Sequence, residues 1–207
     1  MKPLPVTLYS DFICPYCYIA ERVLARVAGR HPLDVTWIGY EIHPELPQAG
    51  ASALFLGEAF REGLWQRVEK VASELGVALR APPFLPNTHL ALEAAEFARE
   101  RGRVLPFHEA VFSAYFERGA NIGEHPVLLE AARGVGLDPA ELSAALDERA
   151  YFDAVEENRE KALDEFVTVV PTVVLIGGVR VVGAQSEEAF EAAIEKAKAK
   201  IERMPRA

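Results

Sequence analysis

The chain reads as an α/β protein whose elements run βαβ, then a long helical block, then ββα. Three observations predict this order. Strand-type residues at 6–9 and 34–42 flank a helical stripe. From about residue 51 to 166 the apolar residues recur at helical spacing. At VVPTVVLIGGVRVVG the period switches back to that of strands.

The first strand is VTLY at 6–9, alternating and rich in strand formers. The stripe Ile19, Val23, Leu24 and Val27 follows as a helix, with Gly29 as its C′ residue. DVTWIGYEI at 34–42 is β-branched and aromatic enough for a second strand, and a crossover of this length suits a parallel βαβ unit. In the helical block, Phe60, Leu64, Val68, Val71 and Leu75 form one face ended at Gly76, and Asn87 or Thr88 caps the next helix. Phe107, Val111 and Phe112 mark another helix. Asp138, Pro139 and Glu141 start a further one with a cap, a first-turn proline and a box-like acid; Tyr151, Val155 and Ala162 mark the last. Two short buried strands are then joined across Gly177 and Gly178, and Ser186 caps a final helix whose buried stripe is Phe190, Ala193, Ile194, Ala197 and Ile201.

A length of 207 residues fits one domain carrying a large insertion, and a composition half apolar and a quarter charged fits a folded core. With 22 basic against 31 acidic side chains, a net charge of −9 repels phosphate backbones and anionic lipid, which argues against nucleic-acid and membrane partners. The start MKPLPVTLYSDF has no apolar h-region, and eighteen apolar residues nowhere run together, so a cytoplasmic, soluble protein is expected. Two cysteines are also too few for a secreted disulfide framework.

Both cysteines lie in ICPYCY, at the first strand-to-helix turn. If Cys14 begins the helix, Pro15 falls in the first turn, where its missing donor costs nothing, and Cys17 lies one turn on along the same face. Helical i, i+3 positions hold Cβ atoms about 5–6 Å apart, so slight tightening closes a disulfide. Unpaired N–H groups and the positive end of the helix dipole favour a thiolate at Cys14, lowering its pKa below that of free cysteine and making it the nucleophile. Cys17, further inside the helix, is then the resolving thiol. Two other readings stand beside this one. A structural zinc site needs four ligands, and His31, His43, His89, His108 and His125 show no i, i+3 or i, i+4 spacing among themselves, so no metal is assigned. An inert pair of core cysteines is the plainer alternative.

Strand, CPYC at a helix start, second strand, helical block and a Val-Pro-Thr strand together resemble the thioredoxin superfamily, and within it DsbA-like oxidoreductases of the FrnE type. The resemblance runs through SDFICPYCYIAERVL, WIGYEIHPELP, NTHLALEAAEFARERG, FHEAVFSAYFERGANIGE, GLDPAEL and VPTVVLIGGVRVVGAQS. It implies a thioredoxin-like domain from residues 1–50 and 167–207, interrupted by a helical insertion at 51–166. Cys14 would attack, Cys17 resolve, and a cis Pro171 face them. Substrate would meet Pro15, Tyr16, Val170 and Pro171, with the Val170 backbone pairing with an extended peptide. Partners would be thiol- or disulfide-containing proteins and peptides, with no cofactor beyond the Cys14–Cys17 disulfide itself.

Three departures bear on this. Pro-Tyr replaces the Pro-Trp usual in FrnE-type proteins and is shared with glutaredoxins, which keeps glutathione as a candidate co-substrate. Val169 stands where relatives commonly have Gly, implying a tighter groove beside Cys14. The additional cysteines of some relatives are missing. Asp11 is read as a turn-forming or capping side chain, or alternatively as a proton-handling one. His89 and His108 are read as helix-surface residues, and Phe107, Phe112, Tyr115 and Phe116 as core.

The expected activity is thiol–disulfide exchange. The alternative is a glutathione-dependent isomerase or transferase of the 2-hydroxychromene-2-carboxylate isomerase or kappa class, relatives that typically present Ser at the position of Cys14. A third reading is a non-catalytic peptide-holding module, which rests on fold analogy alone.

Overall fold

In LPVTLYS the side chains alternate between two covered faces. Leu4, Val6 and Leu8 enter the main core, while Tyr9 packs in a smaller one with Ala162 and Val167. This strand, β1 (Leu4–Ser10), is central because both of its edges are paired. The computed structural model describes residues 3–54 and 57–203. On one side β1 pairs in parallel with β2 (Leu33–Gly39), in register Leu4↔Leu33 to Ser10↔Gly39, and α1 (Pro15–Ala28) makes the crossover.

The chain then runs through β3 (Ala51–Ser52), α2 (Glu58–Glu74), β4 (Phe84–Leu85), α3 (His89–Glu100), α4 (Val104–Phe116), α5 (His125–Gly134), α6 (Pro139–Asp147) and α7 (Phe152–Asp164). It returns as β5 (Thr172–Leu175), which takes the free edge of β1 in antiparallel register, then β6 (Val179–Val182) and α8 (Glu187–Arg203). The sheet is mixed, ordered β2-β1-β5-β6. Helix α8 packs on β6 and beside α1, whereas α7 packs against β2. Ile19, Val23, Leu24 and Val27 of α1 are all buried, as the periodicity predicts.

Several elements differ from expectation. β2 ends at Gly39 rather than residue 42: Tyr40 N–H still donates to the Ser10 carbonyl at the end of β1, but Ile42 N–H is taken by the Asp11 carboxylate. The helical block contains a two-residue strand pair, β3 with β4, too short to leave a periodic signal. In α2, Val68 is fully buried and Leu64, Val71 and Leu75 pack half-buried against the core, as the stripe predicts, but Phe60 in the first turn is more than half exposed. β6 alternates between buried and exposed, as an edge strand does, rather than being buried throughout. The last buried residue of α8 is Ala197, and Ile201 is exposed.

Turns and caps largely follow the sequence. The β5–β6 connection is a single 3₁₀ turn in which Gly177 (φ +76°) and Gly178 (φ +69°) both take backbone conformations that side chains resist. Asn87, not Thr88, supplies the bond at the start of α3, accepting from His89 N–H at 3.0 Å. Asp138 caps α6 by accepting from Ala140 N–H at 2.7 Å and Glu141 N–H at 3.4 Å. Replacing it removes those acceptors and nothing else, so Asp138→Ala is expected to lower stability by about 1 kcal/mol. A shift in urea midpoint with unchanged slope checks this, while an unchanged midpoint would show that the cap contributes nothing.

Candidate active site

β1 delivers the chain to a tight turn, and that turn sets the first residue of α1. The Cys14 N–H donates to the Asp11 carbonyl at 3.1 Å. Cys14 is then the N-cap, extended at φ −83°, ψ 112°, and Pro15 occupies the first turn. The Cys14 sulfur does what a capping oxygen usually does: it accepts the Cys17 N–H at 3.4 Å. The same N–H also donates to the Cys14 carbonyl at 3.1 Å, so it is shared between the carbonyl and the sulfur at the start of a 14-residue helix.

The two thiols differ in access. Cys14 is 5 % exposed and Cys17 is 0 % exposed, and neither is bonded to the other in this structure. Burial pushes the Cys17 thiol well above its usual range, with the neighbouring Cys14 adding to the rise and hydrogen bonds from the Asp11 backbone and the Ser10 side chain opposing it.

From the other end of the chain, the loop entering β5 closes over this turn. The Val170–Pro171 peptide bond is cis, and the Cys14 thiol lies 3.8 Å from the Val170 carbonyl. Thr172 Oγ1 donates to the Val169 carbonyl at 2.7 Å, holding the approach to the proline in place. Val169 itself is 53 % exposed, at the rim rather than packed inward. Cys14, Cys17, Val170 and Pro171, separated by more than 150 positions, are thus neighbours, with Pro15 and Tyr16 half-buried beside them.

Sequence reasoning missed one wall. A cavity of about 50 Å³ beside the cysteine turn is lined by Ile13 and Pro15 together with Phe60, Leu64 and Trp65 of α2. The outward-facing start of α2 is therefore turned toward Pro15. Trp65 next to the stripe residue Leu64 is the signal that could have found it. Tyr115, in the same wall, donates to the Phe84 carbonyl at 3.0 Å; with Phe107, Phe112 and Phe116 it is buried, as the core reading expects.

Below the cysteines, Asp11 is fully buried. Its Oδ1 accepts from Ile13 N–H at 3.4 Å and its Oδ2 from Ile42 N–H at 2.7 Å. Burial pushes its carboxyl up to about 6; bonds from Ile42, Thr88 and Ile13 oppose the rise and the Glu41 charge adds to it.

The two histidines expected on the surface are not there. His108 is 2 % exposed, enclosed by Phe12, Trp37 and Phe112, with Nδ1 2.7 Å from Glu21 Oε2, while Ser10 Oγ donates to Glu21 Oε1 at 2.8 Å. His89 packs against Phe152 and contacts Glu41. Both lie on the inner faces of their helices, where His108 stands four residues from Val104 and from Phe112.

Sheet order, the cysteine turn at the first helix and the cis proline opposite it define the thioredoxin-like class, and comparison with known proteins narrows it. Residues 5–195 match the model of the DsbA-like thioredoxin domain, and the chain belongs to that family. It is 31 % identical over 194 residues to the uncharacterized protein YwbO of Bacillus subtilis, covering 91 % of this chain and 94 % of that one. Among solved structures, a probable DsbA oxidoreductase from Streptomyces coelicolor superposes with a TM-score of 0.88 at 25 % identity, over 99 % of this chain and 93 % of that one. A 2-hydroxychromene-2-carboxylate isomerase shares the fold, with a TM-score of 0.78 at 17 % identity over 98 % of this chain and all of that one.

The buried carboxylate has a pH signature. Because the folded-state pKa of Asp11 is raised, the stability associated with it is fully present below the unfolded value near 4 and is lost as pH rises through about 6. Relative to Asp11→Asn, the unsubstituted protein is expected to lose on the order of 3 kcal/mol between pH 4 and 7. Urea midpoints of both proteins across that range test it. Parallel curves would mean that Asp11 ionises in the folded protein as it does in water.

Proposed function

We propose that the protein is a thiol–disulfide oxidoreductase in which Cys14 attacks and Cys17 resolves. The observation that carries this reading is the asymmetry of the pair: the Cys14 sulfur receives a helix N–H at the rim of the site, while Cys17 is sealed beneath it.

In the reducing direction, the Cys14 thiolate attacks one sulfur of a substrate disulfide. A Cys14–substrate disulfide forms, and the other substrate sulfur leaves as a thiolate that takes a proton from water. Cys17, having lost its proton, then attacks the Cys14 sulfur and expels the second substrate thiolate. The substrate disulfide has gained two electrons and Cys14–Cys17 has become the disulfide; the reverse sequence oxidises a dithiol. Placement of Cys17 inside the helix keeps it from competing for the first attack.

Extended protein or peptide segments are the substrates the surroundings suit. The backbone of Val170 beside the cis proline offers strand-type pairing, while Pro15, Tyr16 and the Phe60, Leu64 and Trp65 wall offer apolar contact without a charge requirement. In this reading residues 1–50 and 167–207 form the redox domain and residues 51–166 its helical cover. The resemblance of the helical-block phrases supports reading the chain as FrnE-type, and the Pro-Tyr dipeptide admits glutathione as a small-thiol partner. Among the described residues no helix is long and apolar enough to cross a membrane, and we assign the protein to the cytoplasm, where thiol pools favour reductase or isomerase work.

The test is the thiol state in graded glutathione redox buffers, read by alkylation mass shift. A reversible two-electron transition is expected, lost in Cys14→Ser. Cys14→Ser should also cut disulfide reductase activity by more than about 10³-fold, and Cys17→Ser should accumulate mixed disulfides with substrate that fail to resolve. Failure to observe the transition would remove the redox assignment. The shared fold of the isomerase favours the second reading, glutathione-dependent isomerisation; full turnover of a small aromatic substrate by Cys17→Ser in the presence of glutathione would establish it in place of the first.

A further inference from the structure

Away from the cysteines, three elements bring acidic and imidazole side chains together. Glu41 lies on the segment leaving β2, His89 is the first residue of α3, and Glu156 is in the middle of α7. One ligand-type atom from each lies within 4.8 Å of the others. Among the described residues this is the only such grouping of three or more His, Cys, Asp and Glu side chains, and it includes neither cysteine.

Hydrogen bonds within the cluster leave it incomplete. Glu41 is 7 % exposed; its Oε2 contacts His89 Nδ1 at 3.1 Å, but its Oε1 is buried with no partner. His89 Nε2 is also buried and without a hydrogen-bond partner. The carboxylate nearest it, Glu93 Oε1 at 3.6 Å, is held by Arg149 Nε at 2.6 Å. Among the described residues no lysine or arginine lies within ion-pair distance of Glu41 or Glu156, since Arg149 is committed to Glu93. A buried carboxylate oxygen without a donor is costly, and the His89 imidazole contacts only the other oxygen.

We propose that Glu41, His89 and Glu156 bind a divalent first-row transition-metal ion. Carboxylate oxygen and imidazole nitrogen are donors such ions accept together, at bond lengths of about 2.0–2.2 Å. Those lengths place adjacent ligand atoms roughly 3–3.5 Å apart. The cluster therefore needs a contraction of about an ångström, which the flexible Glu156 side chain supplies because it is not buried. Water completes the coordination on that open side. Bound there, the ion ties the β2 exit to two helices of the intervening block, one residue from the Ile42 N–H that holds Asp11.

Zinc is the suitable probe, because it binds N/O sites more tightly than the earlier members of the series such as Mn²⁺. The full chain carrying Cys14→Ser and Cys17→Ser, which removes thiolate ligands, is titrated with Zn²⁺ by calorimetry, alone and with Glu156→Gln or His89→Gln added. One ion per chain with a dissociation constant of about 10 μM or tighter is expected. Each added substitution should weaken it by at least about tenfold, a loss that even outer-shell substitutions produce. Circular dichroism confirms the fold of each variant, and Glu156→Gln, at a position that is not buried, decides the matter if His89→Gln unfolds. Absence of binding at about 1 mM Zn²⁺, or equal binding with and without Glu156→Gln, overturns the proposal. Neither outcome bears on the redox reading, which uses none of these residues.

Discussion

The site depends on one buried carboxylate. Asp11 sits where β1 ends and α1 has not begun, and its two oxygens hold backbone N–H groups from both sides of the βαβ unit, Ile13 on the way into the helix and Ile42 on the way out of β2. A fully buried carboxylate is tolerable only because such donors replace water. The arrangement fixes the turn that makes Cys14 the N-cap. It also draws residues 40–42 out of strand geometry and so sets the position of Glu41. The apparent conflict between a pKa near 6 and a hydrogen-bonded carboxylate resolves in magnitudes: desolvation outweighs the three donors, and the net shift is upward.

Strand register does the rest of the assembly. Tyr9 opposite Thr172 puts the start of β5 beside the end of β1, so the residue before β5 must lie against the residues after β1. Pro171 and Cys14 follow directly from that pairing. The contact between the Cys14 thiol and the Val170 carbonyl is therefore a consequence of the sheet, and the loop needs no contacts of its own to find the helix.

What could be read from the sequence was what carries a local signature. CPYC at a strand-to-helix turn, the Asp138 cap, the paired glycines 177 and 178 and the helical stripes each announce themselves within a few residues. The cis bond at Pro171 was legible only through resemblance, because Val-Pro by itself favours trans. Illegible features were those set by tertiary contact. β2 stops early because the Asp11 side chain takes the Ile42 N–H; β3 and β4 are too short for periodicity; and the wall that Phe60, Leu64 and Trp65 form beside Pro15 comes from tertiary packing. The histidines are intermediate. His108 follows Phe107 and stands four residues before Phe112, so helical spacing places it beside the buried stripe although its polar side chain suggests the surface. A half-buried carboxylate partner, Glu21, is what makes the spacing right.

Burial of Cys17 sets two demands against each other. In the proposed exchange, sealing it leaves Cys14 as the point of first contact, yet resolution would require a thiolate at Cys17, and desolvation works against that form. The structure moderates the conflict instead of removing it. The Asp11 backbone and the Ser10 side chain both pull the Cys17 pKa down, and Ser10 is itself tied to Glu21 and, through it, to His108. Cys14 works the other way, since its hydrogen bond and its electrostatic interaction both raise Cys17. In the proposed mixed disulfide that interaction would be absent. In the proposed mechanism, therefore, joining Cys14 to substrate would ease ionisation of the second thiol, and electrostatics and access would favour the same order of steps.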